Sequence, residues 1–170
     1  MDARSRFVIV GVVPDQPPAV VAGAARFALA FDAELVCAMV DPSRYAVSGR
    51  TDGPEIATSI DPDLADDTTL EFDPALESVI AETLAGTGVR WSARALAGGP
   101  SAELTRLADD LDAAMIVVGT RQAGFRGTVH EFFSGSVAVQ LAHHQHRPIV
   151  VVPLHPVGTD GPPPWQGGAA

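Results

Sequence analysis

Residues 115–153 constrain the fold more than any other part of the chain. The apolar run Met115-Ile116-Val117-Val118 breaks at Gly119-Thr120-Arg121 and passes into a segment punctuated by Gly124, Gly127 and Gly135. An apolar pattern at helical spacing follows, and the stretch closes on Pro148-Ile149-Val150-Val151-Val152-Pro153. Short runs rich in Val and Ile, bounded by glycine or proline, suit strands buried on both faces, because β-branched side chains are stiff and pack well on a pleated surface. Two such runs joined by a glycine-rich loop and one helix make a parallel strand-helix-strand unit. A glycine segment between strand and helix can also wrap backbone N–H groups around a phosphate, and the functional reading starts there.

The same alternation runs through the rest of the chain. Phe7-Val8-Ile9-Val10-Gly11-Val12-Val13 reads as a first strand ended by Pro14 and Asp15, and the alanine-rich Pro18 to Phe31 reads as a helix opened by prolines. Leu35 to Val40 is a second strand, stopped by Asp41-Pro42. Asp73-Pro74 opens a helix striped by Leu76, Val79, Ile80 and Leu84, and Gly86 and Gly88 close it. Val89 to Leu96 alternates with period two, as a half-exposed edge strand does, and Ser101 to Leu111 carries the next helix. Asp109, Asp110 and Asp112 crowd the end of that helix, where the dipole disfavours anions. With a helix from about Ser134 to His143 and a last strand at Ile149 to Val152, strands and helices alternate five times. The pattern predicts a single doubly wound, five-stranded parallel sheet with helices on both faces. Ligands of such sheets sit beyond the carboxyl ends of the strands, where the strand order reverses.

Two stretches fall outside this pattern. Residues 42–72 lose apolar periodicity and gather serine, glycine, proline and aspartate, which predicts a long surface excursion that composition reads as disordered. Residues 156–170, rich in proline and glycine, form a tail that builds no core of its own, with Trp165 its one large apolar side chain. The domain is expected to span 1–155.

Charge narrows the function classes. A formal net charge of −10 argues against nucleic acid and against an anionic membrane surface, since either would meet a repulsive field. No apolar run approaches the eighteen or so residues a membrane helix needs, and the charged start Met1 to Arg6 leads straight into a strand pattern, so a cytoplasmic location is expected. Cys37, alone of its kind and inside an apolar run, reads as a small core residue. His143, His144 and His146 read as a solvated helix end and not as a metal site, because adjacent histidines point to different faces and no Cys, Asp or Glu stands by to complete a tetrahedral set. His130-Glu131 lies within the glycine loop, but no Ser-His-Asp order or paired carboxylate stands out, and no catalytic machinery is evident.

The residues with a case for phosphate are the Gly135 and Ser136 N–H groups at the start of the last helix, where donors are unpaired and the dipole favours an anion. Arg121 and Arg126 offer charge-assisted bonds. On the residues alone, a plain serine cap and a glycine turn explain the same pattern equally well.

In order and spacing, the chain resembles the universal stress protein family across roughly Phe7 to Pro153. The resemblance is carried by the first strand, Val40-Asp41-Pro42, Gly98-Gly99-Pro100-Ser101-Ala102-Glu103-Leu104 and Ile116-Val117-Val118-Gly119-Thr120-Arg121. Gly135-Ser136-Val137 and His146-Arg147-Pro148 with the last strand complete it. It implies strand order 3-2-1-4-5, as in adenine nucleotide alpha-hydrolase-like folds. It also implies a nucleotide site drawn from Val13, Val40, Gly119, Thr120, Arg121, Gly124, Gly127, Gly135, Ser136 and Val137. The implied ligand is ATP or another adenine nucleotide with Mg. The ATP-binding branch shows a glycine, two residues, a second glycine, nine residues, then Gly-Ser or Gly-Thr. Here Gln122 replaces the second glycine, and twelve residues separate it from Gly135. The family's first strand usually ends in an aspartate that meets the nucleotide, and Val13 stands in that place. A homodimer through Ile149 to Val152 follows from the resemblance and from the need to cover an apolar edge. Three readings stay open: a nucleotide-binding stress-response regulator without robust turnover, a dimeric interaction protein that has lost the nucleotide, and a slow ATPase.

Overall fold

The computed structural model describes residues 6–46, 56–59, 68–120 and 136–154. The main sheet is built from β1 (Arg6–Val12), β2 (Ala33–Asp41), β6 (Trp91–Ala97), β7 (Met115–Gly119) and β8 (Ile149–Val152). All its pairings are parallel and the spatial order is β6-β2-β1-β7-β8, which counted along the chain is 3-2-1-4-5. β1 is central: Val8 stands beside Leu35 on one side and Met115 on the other. Because both faces of β1 are covered, Val8, Ile9 and Val10 are fully buried, and the run shows no alternation of polarity.

The helices α1 (Ala19–Ala30) and α2 (Pro74–Leu84) cover one face, packing Val20, Val21, Ala24, Ala25 and Ala28 with Leu76, Ile80 and Leu84 on Val8, Val10, Leu35 and Cys37. The helices α3 (Pro100–Asp110) and α4 (Ser136–His144) cover the other, where Leu104, Leu107, Val137 and Leu141 meet Ile9, Val36, Ile116 and Val118. Burial pushes the Cys37 thiol from its ordinary 9.0 up to about 12, so it stays protonated and unreactive in the core.

The ends of these elements follow local chemistry. The Asp73 carboxylate accepts from the N–H groups of Ala75 and Leu76 at 2.8 and 3.0 Å, an N-cap for α2, with Pro74 in the first turn. β2 stops at Asp41, whose Oδ1 accepts from the Ser43 N–H and hydroxyl and turns the chain out of the sheet. β6 is an edge, and its first five residues are only partly buried or exposed, as in a half-exposed edge strand, although their burial does not alternate strictly.

The excursion corrects the sequence reading. Its described residues form β3 (Arg44–Ala46), β4 (Ile56–Ser59) and β5 (Thr68–Thr69), a separate antiparallel sheet in the order β3-β4-β5. Strands of three, four and two residues are too short to print a periodicity on the sequence. The chain then returns through Leu70, which is buried against Ala95 and Ala97 of β6.

Candidate functional site

The strand order reverses between β1 and β7. β1 leads to α1 on one face and β7 leads to α4 on the other, so the connections part and leave a crevice beyond Val12-Val13 and Gly119-Thr120. β2 supplies its third side. The register puts Val12 beside Met39, so β2 runs two residues further, to Val40 and Asp41. The Asp41 carbonyl accepts from the Gly98 N–H at 3.0 Å and therefore points toward β6. Successive carbonyls of a strand point to opposite sides, which aims the Val40 carbonyl over the end of β1. The next ladder donor there belongs to residue 14, a proline with no N–H. The Val40 carbonyl is thus left as a backbone acceptor facing the crevice, while its side chain is buried in the core below α3 and α4.

At the tip of β7, Gly119 lies against α1. A Cβ at this position would stand 2.9 Å from both Gln16 Nε2 and Val20 Cγ2, and 3.4 Å from Leu154 Cδ1. Val20 is fully buried, so the glycine is required by the close approach of helix and strand whatever else it does. Thr120 anchors the segment after β8: its N–H donates to the Val152 carbonyl at 2.9 Å, and its Oγ1 accepts from the Leu154 N–H at 2.8 Å. At the tip of β1, Val13 is half-buried and presents no polar side chain. Val137, in the first turn of α4, is buried among the core residues beneath that helix.

Of the residues expected from sequence, the structure therefore brings Val13, Val40, Gly119 and Thr120 to the ends of three adjacent strands, and α4 begins at Ser136 and Val137 on the face of α3. Arg121, Gly124, Gly127 and Gly135 lie outside the described residues, as do Gln122, Arg126, His130 and Glu131. Sequence reasoning missed Gln16. Its side chain spans the two tips, its Oε1 accepting from the Val13 N–H at 3.3 Å and its Nε2 standing 2.9 Å from where a Cβ on Gly119 would be, and a glutamine between a turn aspartate and two prolines gives no signal of that contact.

A groove of about 590 Å³ runs between α3 and α4, lined by Ser101, Thr105, Arg106, Asp109, Asp110 and His144. Its arginine is already paired with Glu103 at 2.7 Å and Asp110 at 3.6 Å, so the groove offers an anion little attraction. The crevice is the better candidate.

Fold and crevice together define a doubly wound α/β protein with an open switch-point site. Residues 6–153 match the model of the universal stress protein family, and the chain belongs to that family. No curated protein matches it. Among solved structures, a universal stress protein in complex with cAMP is 18% identical, the match covering 90% of this chain and 100% of the other with a TM-score of 0.55. The Archaeoglobus fulgidus protein in complex with dAMP is 20% identical over 88% of this chain and 98% of its own, with a TM-score of 0.52. A further universal stress protein structure from Archaeoglobus fulgidus is 22% identical over 86% and 93%, with a TM-score of 0.50. At these identities the likeness carries the fold.

Proposed function

We propose that this chain is a cytoplasmic stress-response regulator that binds an adenine nucleotide, ATP with Mg or a relative of it, in the crevice without robust turnover. The observation that carries the reading is the Val40 carbonyl, aimed over the end of β1 where Pro14 cannot donate to it. An exocyclic amine of a purine supplies the missing donor, and adenine has one at the edge where guanine has a carbonyl. From there a nucleotide reaches across β1 to the tip of β7 and the start of α4, where the N–H groups of a helix's first turn favour phosphate. The solved relatives that hold cAMP and dAMP support the same class of ligand. Competition between ATP and GTP for the refolded, nucleotide-free protein tests the reading. Adenine should win by about tenfold or more, since the wrong base leaves two acceptors facing each other without a proton, and equal affinity would contradict it.

A second reading, a dimeric interaction protein whose crevice holds no nucleotide, is favoured by Val13, which gives the β1 tip no carboxylate. Both readings include a homodimer through β8. That strand pairs with β7 on one side and with no described strand on the other, and Val151 is 44% exposed along it. An apolar edge of this kind is a template for a second copy.

A further inference from the structure

Gln16 joins the tips of β1 and β7. The Gln16 N–H donates to the Val13 carbonyl at 3.3 Å, and the Gln16 Oε1 accepts from the Val13 N–H at 3.3 Å. This reciprocal pair fixes the orientation of the amide, because a backbone N–H must meet the oxygen and not the NH2. The free end is therefore Nε2. It reaches across to the tip of β7, 2.9 Å from where a Cβ on Gly119 would stand, and donates to no described residue. The side chain is half-buried, with two N–H donors beside the switch point and no described acceptor for either.

We propose that Gln16 is a specificity-determining residue of the crevice, its Nε2 donating to an acceptor oxygen of the ribose or of the phosphate next to it. The inference rests on the nucleotide-binding reading. It assigns the position by distance. The Val40 carbonyl that takes the base lies on β2, Gln16 lies on the β1–β7 side, and neighbouring strands are about 4.8 Å apart, so what reaches Nε2 is the part of the ligand beyond the base. It also assigns the polarity. A carboxylate at the strand tip accepts from ribose hydroxyls and repels phosphate oxygens. A neutral amide anchored by its own oxygen donates, and it tolerates an anionic oxygen beside it.

The test is titration calorimetry of AMP and of adenosine against wild-type protein, Gln16→Glu and Gln16→Met. Glutamate keeps an oxygen for the Val13 N–H, so the loop is expected to hold, but it replaces the donor with a charged acceptor. Methionine keeps the length and removes the polarity, and serves as the second variant. The expected result is AMP affinity lowered about tenfold or more in Gln16→Glu and several-fold in Gln16→Met, the loss of one hydrogen bond being a factor of about two to twelve. Adenosine weakened as much as AMP places the acceptor on the ribose; adenosine unchanged places it on the phosphate. Wild-type affinity for both ligands in both variants overturns the role of Gln16 while leaving nucleotide binding intact. A wild-type protein that binds neither overturns the nucleotide reading and this inference with it.

Discussion

Gly119 is required by packing, whatever the crevice holds. Any side chain there meets Val20, which α1 holds fully buried, and the Gln16 amide. Gly119→Ala is expected to destabilise the fold by about 1–3 kcal/mol through overpacking, read as a lower urea midpoint. Combining it with Val20→Ala should return part of that loss, because the two changes act on the same space, and a strictly additive pair would refute the contact. The sequence pointed to Gly119 through its position after an apolar run, yet the reason for the glycine is partly internal packing. Phosphate-loop logic and helix-packing logic ask for the same residue here. Gln16 is the converse case. Nothing in its neighbours announces that its amide folds back on Val13, because the bond depends on where β1 stops.

At the scale of elements, two of the three acids at the end of α3, Asp109 and Asp112, find their partner in Arg147, which follows Asp109 by 38 residues in the chain and is adjacent in space, while Asp110 pairs with Arg106. The Arg147 guanidinium pairs with Asp109, lies 3.7 Å from Asp112, and its Nε–H donates to the Ala113 carbonyl at 2.9 Å. The link clamps the α4–β8 connection onto the end of α3, next to the start of β7. Both aspartates are well exposed, so the ion pairs contribute little, and the bond to the Ala113 carbonyl from a largely buried side chain contributes more. Arg147→Met, which keeps the stem, should cost about 1–3 kcal/mol in thermal or urea unfolding, and most of that cost should survive high salt. A loss that vanished in salt would put the stabilisation in the ion pairs instead. Five strands and four helices of the main fold were legible because each buries a stripe or a run long enough to show its period. The aspartates were not, since their partner lies across the fold. Nor was the small sheet of β3, β4 and β5, whose strands are too short for alternation and after which the chain docks at Leu70 on Ala95 and Ala97 of β6.

At the scale of the whole molecule, the described residues present an apolar edge and a crevice. The edge is β8, and pairing it with a second copy about a two-fold axis would bury Val151 and complete its hydrogen bonding. Sedimentation at micromolar concentration should give twice the 17.6 kDa chain mass, and Val151→Lys, placing a charge on the pairing edge, should give the monomer. A wild-type monomer would overturn the dimer. The crevice carries the central claim, and thermal unfolding of denatured and refolded, nucleotide-free protein tests it most directly, with millimolar Mg-ATP, ADP, AMP and cyclic AMP run in parallel. Ligand at about a hundred times its dissociation constant stabilises by roughly 2.7 kcal/mol, which raises the midpoint of a domain this size by several degrees. A selective rise with one or more of the four is the expected result, and an unchanged midpoint with all of them would contradict nucleotide binding at the switch point.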